Sequence, residues 1–168
     1  MIYKNKKDMI SHAIKHSFIF IFSGSIYYLM EMIFKSSHTS HISMFVLAGL
    51  CGMVFIDGLN NLFTYDMDFL LQIFICATAI TIGELFVGLL FNSDYSIWNY
   101  TNMPFNYKGQ ICLPFYLLWL ALSAIFIPVL DWIEWKIFKY KEDTPPCYKI
   151  FGKLFLIFDK EGKLHFCF

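Results

Sequence analysis

The sequence predicts an all-α membrane protein: a four-transmembrane-helix bundle with cytoplasmic N- and C-termini and a short C-terminal β-hairpin. Three observations carry that prediction. The 168 residues are 58% hydrophobic and 15% charged with a mean hydropathy of +0.55, whereas soluble domains carry about a quarter charged residues. Several apolar stretches approach the roughly 20 residues that a bilayer requires. The basic residues, all of them lysine, gather near the two ends of the chain.

Taken in order, Met1–Ile14 reads as a weakly amphipathic interfacial helix, giving an N-terminal region over 1–15. The membrane domain follows over 16–140, with spans expected at His16–Phe34, Ile42–Leu59, Asp68–Phe91 and Gln110–Ile133. The second is the shortest and is loosened by Gly49, Gly52 and Gly58. Lys4, Lys6, Lys7 and Lys15 precede the first span, and Lys136, Lys139 and Lys141 follow the last. The positive-inside rule therefore sets both termini in the cytoplasm and requires an even number of spans. Asn60–Met67 is then a short inner loop, and Lys35–His41 and Asn92–Gly109 are outer loops.

The tail over 141–168 begins where Thr144-Pro145-Pro146 ends the last helix. Leu154–Phe158 and Lys163–Phe168 flank Asp159-Lys160-Glu161-Gly162, a hairpin pattern with a Gly-containing turn. A lone hairpin is marginal, so it must rest on the membrane surface, the bundle or a partner. The first apolar run ends in Glu31 and Lys35 without a small-residue cleavage site, so no signal peptide is expected.

Glu84 is the informative residue, because it lies in an apolar run from Phe69 to Phe91 that contains no basic residue. An unpaired carboxylate in hydrocarbon costs several kcal/mol, so it requires a hidden partner, a wet cavity or a bound proton. Ala77, Thr81, Glu84 and Gly88 form one stripe, and small residues let helices approach closely within lipid. Thr can also donate across such a contact, and the stripe should face inward with Glu84 on it.

On the first span Tyr27, Tyr28, Glu31 and Lys35 share a face. Glu31 and Lys35 form either a local i,i+4 ion pair or part of a binding site. The outer loops add His38, His41, Asn92, Trp98, Asn99, Tyr100, Asn106 and Gln110, a profile suited to a concave site with a few polar anchors. The expected ligand-binding set is Glu31, Glu84, His38, Trp98, Asn99, Asn106, Gln110 and Tyr28. His38 and His41 could join Glu31 around a metal, but H-E-x-x-H is absent and solvated loop histidines are the simpler reading. The acidic and amide groups at the inner side (Asp57, Asn60, Asn61, Asp66, Asp68, Asp131 and Glu134) read as boundary markers at span ends.

Other classes find little support. The formal net charge is zero, so there is no electrostatic footprint for nucleic acid. The five cysteines form neither a C-x-x-C pair nor a zinc spacing. No Gly-rich nucleotide loop or nucleophile elbow appears, and no cofactor, metal or catalytic residue is expected.

Tyr28 with Glu31, Ser37-His38, His41-Ile42-Ser43-Met44 and Gly49-Leu50-Cys51 resemble the opening of a bacterial family. It is described as putative ABC-transporter type IV, or putative ABC transporter permease. The likeness continues through Asn60-Asn61, Ile80-Thr81, Glu84, Gly88, Asn92, Trp98-Asn99-Tyr100, Pro104, Asn106 and Gly109-Gln110-Ile111-Cys112-Leu113 to Trp119. It covers about Tyr27 to Trp119, and the hairpin has no evident counterpart. Two positions depart from the family pattern, Asn99 where Asp is usual and Lys35 where Arg is usual. These remove an outer negative charge and a bidentate donor.

The resemblance implies an integral membrane protein with a shared polar site. Asn60–Met67 is too short for the coupling helix that a usual ABC permease offers its ATPase. The resulting expectation is a transport-related subunit of the bacterial cytoplasmic membrane. Its outward-opening pocket would bind a small polar molecule, an ion or a lipid headgroup. Glu84 would be the charge or proton anchor, Glu31 and His38 the ligand contacts, and Trp98, Asn99 and Asn106 the closing residues. Four spans enclose little volume, so a homo-oligomer or another membrane subunit is expected beside the lipid bilayer. The alternatives are a membrane scaffold or regulatory partner, and, less favoured, an intramembrane enzyme using Glu84 as acid/base.

Overall fold

The computed structural model describes residues 6–34, 42–63, 65–139 and 144–167. Helix α1 spans Lys6–Phe34 and runs without a break through the expected boundary at 15/16. No glycine or proline precedes Gly24 to interrupt it. Helix α2 covers Ile42–Leu50 and continues as a π-helical run over Cys51–Gly58. Helix α3 spans Phe69–Phe91, started by Asp68, whose carboxylate accepts from the Leu70 N–H at 3.0 Å. Helix α4 spans Leu113–Lys136 with Pro114 in its first turn, where a missing N–H costs nothing.

Three segments are long and apolar enough to cross a bilayer: Ser11–Ile33, Phe69–Phe91 and Leu113–Lys136. The expected second span is corrected to a shorter apolar helix, Ile42–Gly58. It remains inside the bundle, packed against α1, α3 and α4. Its contact with α1 is close because both sides are small. A Cβ at Gly52 would lie 2.1 Å from Ser23 Oγ, and one at Gly24 would lie 2.7 Å from the Phe45 carbonyl. Along α3, Cys76, Ala77, Ile80 and Glu84 point inward, whereas Phe74, Ile82, Phe86 and Leu90 are exposed. Apolar residues facing outward around a polar interior is the arrangement expected for helices solvated by lipid.

The expected hairpin is part of a three-stranded antiparallel sheet in the order β1-β2-β3. The strands are β1 (Cys147–Ile150), β2 (Lys153–Phe158) and β3 (Leu164–Phe166). The first turn, Phe151-Gly152, takes φ of 49° and 76°, the two successive positive values that match a tight hairpin to strand twist. Asp159 organises the second by accepting from the N–H groups of Glu161 and Lys163, each at 2.9 Å.

The sheet rests on the bundle. Tyr148 is fully buried against Phe69, with ring centroids 4.7 Å apart, and Leu156 and Phe158 join the same core. Trp132 Nε1 donates to the Gly162 carbonyl at 3.0 Å, and the Phe151 N–H donates to Asp68 Oδ2 at 2.5 Å. The bundle thus has a sheet end and, opposite it, a loop end formed by residues 92–112.

Candidate functional site

Glu84 is 2% exposed, on the inward stripe of α3. Two donors reach it from different elements: Tyr100 Oη at 3.1 Å to Oε1 and Trp119 Nε1 at 3.0 Å to Oε2. Its hidden partners are therefore neutral donors, one from the loop and one from α4. Burial, then the charge of Glu84, pushes the Tyr100 phenol well above its ordinary range, so it stays a donor. Thr81 donates within its own helix to the Ala77 carbonyl at 2.9 Å.

Beyond Tyr100 lies a cavity of about 650 Å³, within the usual size range of small-molecule sites. Tyr27, Met30 and Glu31 of α1 line one side, Ile97 to Tyr100 of the loop a second, and Phe115, Leu118 and Leu122 of α4 a third. Tyr27 stacks on Trp119 at 5.7 Å and Tyr100 on Phe115 at 4.4 Å. The same aromatic pairs thus hold the cavity wall and clamp Glu84 behind it. A void of about 30 Å³ shares Tyr27, Met30 and Leu122 with the cavity and extends to Trp119 and Ser23.

The loop is shaped by two amides. Asn92 is fully buried, donates to the Trp98 carbonyl at 2.7 Å and to Gln110 Oε1 at 3.0 Å, and accepts from the Ile97 N–H at 2.8 Å. Gln110 returns a bond to the Asn92 carbonyl at 2.9 Å. Gly88 makes room for it, since a Cβ there would sit 2.4 Å from Gln110 Oε1. Trp98 Nε1 donates to the Gln110 carbonyl at 2.9 Å. Two unlike chain directions are thus locked without regular secondary structure.

Of the expected ligand-binding set, Glu31, Trp98 and Asn99 meet at the cavity. Glu84 lies behind its wall. Gln110 is buried in the amide lock, and Asn106 is exposed and caps the turn through the carbonyls of Thr101 and Met103 at 3.1 and 3.0 Å. Tyr28 is half-buried on α1 and does not line the cavity. His38 lies outside the described residues, as do Lys35 and His41.

The sheet end holds a second polar site that sequence reasoning read as boundary markers. Lys15, Asp57, Asn60, Asp131 and Glu134 are all buried there. The Lys15 ammonium pairs with Glu134 and lies 3.5 Å from Asp57 Oδ2. Asn61 Nδ2 bridges Asp57 Oδ1 at 3.1 Å and Glu134 Oε2 at 3.0 Å. Asn60 Nδ2 reaches Asp131 Oδ1 at 3.2 Å, and Tyr148 donates to Asp131 Oδ2 at 2.5 Å. Burial, then the charge of Asp131, raises the Tyr148 phenol well above its ordinary range, so it also remains a donor. The legible signal was the i,i+3 spacing of Asp131 and Glu134 with that of Asp57 and Asn60, which puts each pair on one helix face.

A family model described as "Putative ABC-transporter type IV" matches residues 18–160. The match extends past the Tyr27–Trp119 resemblance to include β1 and β2. No curated protein and no solved structure matched the chain.

Proposed function

From the premise that this chain belongs to the family described as putative ABC-transporter type IV, a multi-pass membrane protein of transport type, we propose a binding role for its loop-end cavity. The ligand is a small polar molecule, an ion or a lipid headgroup, held by Glu31 and Asn99 and flanked by Trp98 and Tyr100. The observation that carries this reading is the cavity of about 650 Å³ between α1, α4 and the loop, which joins a carboxylate and an amide to aromatic walls. Glu84 acts from behind by fixing Tyr100 and Trp119, and so the shape of the wall. The lysine clusters at both ends support cytoplasmic termini, with the cavity opening outward in the bacterial cytoplasmic membrane. In this arrangement 1–15, 16–140 and 141–168 are the interfacial, membrane and cytoplasmic regions. Because so little volume is enclosed, passage across the bilayer would use a second copy or another membrane subunit.

The test is binding and uptake by the full chain in proteoliposomes, over a panel of inorganic cations, small amines and short-chain phospholipids. Glu31→Gln, Asn99→Leu and the cavity-filling Leu118→Trp should each abolish the response to the same panel member while the protein stays folded. A response that survives all three would remove the cavity from the mechanism.

A scaffold role is the second reading, favoured by one observation: both oxygens of Glu84 are bonded to protein donors. If it holds, Glu84→Gln preserves activity and Gly88→Leu, which collides with Gln110, destroys assembly. Transport reverses that order of severity.

A further inference from the structure

We propose that Asp57 and Glu134 form a proton-binding site at the sheet end, loaded through His12 and His16. This site is separate from the loop-end cavity and does not depend on it. Asp57 and Glu134 are each 2% exposed, and they share one ammonium, Lys15, and one bridging amide, Asn61. Asn61 Nδ2, 3.1 Å from one carboxyl and 3.0 Å from the other, holds the two groups side by side. Two carboxylates so placed cannot both stay ionised cheaply, and a proton shared between them removes the repulsion.

The position of that proton is indicated by an atom. Asp57 Oδ2 is buried and faces Lys15 Nζ at 3.5 Å and His16 Nδ1 at 3.4 Å, yet no hydrogen bond of good geometry reaches it among the described residues. Protonated there, Asp57 is neutral, and Lys15 is left to balance Glu134. Asn60 Oδ1, on a residue 6% exposed, likewise receives none, although its Nδ2 bonds to Asp131 in the same cluster.

A route reaches this position. His12 is partly exposed, and its Nε2 lies 3.1 Å from His16 Nε2. The opposite nitrogen of the same ring, His16 Nδ1, is 3.4 Å from Asp57 Oδ2. A proton accepted by His16 at Nε2 allows release of the one on Nδ1 to Asp57, which leaves the ring neutral in its other tautomer. Return of the proton from Asp57 to Nδ1, with release of the one at Nε2, restores the first tautomer.

The charges around the pair are consistent with this reading. From α1 come Lys15, His12 and His16. Asp131 comes from α4, the neutral amides Asn60 and Asn61 from the connection to α3, Cys76 from α3, and Tyr65 and Tyr148 lie toward the sheet. Asp131 adds negative charge and accepts from Tyr148 and Asn60.

The experiment is infrared spectroscopy of the full chain in lipid vesicles, in ordinary and heavy water, in a Glu84→Gln background so that the interior carboxyl of the loop end adds no band. The expected result near neutral pH is a carbonyl band of a protonated carboxylic acid that shifts down in heavy water. Asp57→Asn should abolish it. His16→Phe should keep its amplitude but slow its exchange with heavy water several-fold. If Asp57→Asn fails to fold, carbon-13 labelling of aspartate or glutamate assigns the band without a substitution. No such band, or one unmoved by both labels, overturns the site, and unchanged exchange in His16→Phe overturns the route.

Discussion

Tyr100→Phe removes one hydroxyl and little else, because the ring stays stacked on Phe115 at 4.4 Å. What is lost is the 3.1 Å donor to Glu84 Oε1, and at 2% exposure water cannot replace it. A hydrogen bond to a charged group in a soluble protein contributes about 1.5–3 kcal/mol. Between membrane helices such bonds average about 0.6 kcal/mol and reach about 1.7. Burial of both partners places this one near the top of the membrane range, at about 1.5 kcal/mol. For a chain of this size that corresponds to a Tm lower by about 3–6 °C. The assay is thermal unfolding in mild detergent, repeated with Glu84→Leu. Once the carboxylate is gone, Tyr100→Phe should cost nothing, since only an orphan phenol is removed. Equal losses in both backgrounds would mean the hydrogen bond holds nothing, and the account of the cavity wall would fail with it.

Gly52→Ala should destabilise by about 1–3 kcal/mol in the same assay, because its methyl meets Ser23 Cβ at 2.4 Å as well as the rotatable hydroxyl. Gly58→Ala, whose nearest atom is 3.2 Å away, should cost clearly less, and equal losses would refute close packing as the cause. Asn92→Leu should cost about 2–4 kcal/mol and expose the loop around Trp98 to protease, whereas an intact loop would show that the amide lock is dispensable. At the second sheet turn, His165 first and the backbone N–H groups of Lys163 and Glu161 hold the Asp159 carboxyl down at about 2. A depressed carboxylate stabilises above its unfolded value of 3.8 and loses that contribution as pH falls through about 2. Protection of the Glu161 and Lys163 amides, relative to their intrinsic exchange rates, should therefore fall across that window in the wild type and show no such step in Asp159→Asn.

Glu84 was legible because a carboxylate in an apolar helix must be satisfied, and helical spacing names the face. Its partners were not, because Tyr100 and Trp119 are brought to it by a loop whose path depends on the Asn92–Gln110 lock, a contact without periodicity. The sheet-end cluster was misread for a related reason. Charges at span ends usually reach headgroups, and only packing shows that Asp57, Asp131 and Glu134 turn inward toward Lys15. The π-helical run was announced only by glycines, which permit close approach without specifying the helix type. Strand β1 is short and follows Pro146, so its Tyr148 looked like a tail residue when it is fully buried.

The strapping of the sheet across α3 and α4 has a mechanical consequence. Asp68 ties the start of α3 to Phe151, while Trp132 and Tyr148 tie the last turns of α4 to the same three strands. The two rods are thus pinned by the sheet at one extremity, and toward the other they are joined by the loop and by the Trp119–Glu84 hydrogen bond. Breathing that fans out from the sheet is therefore resisted by the bonds of Glu84 to Trp119 and Tyr100 and by the stack of Tyr100 on Phe115.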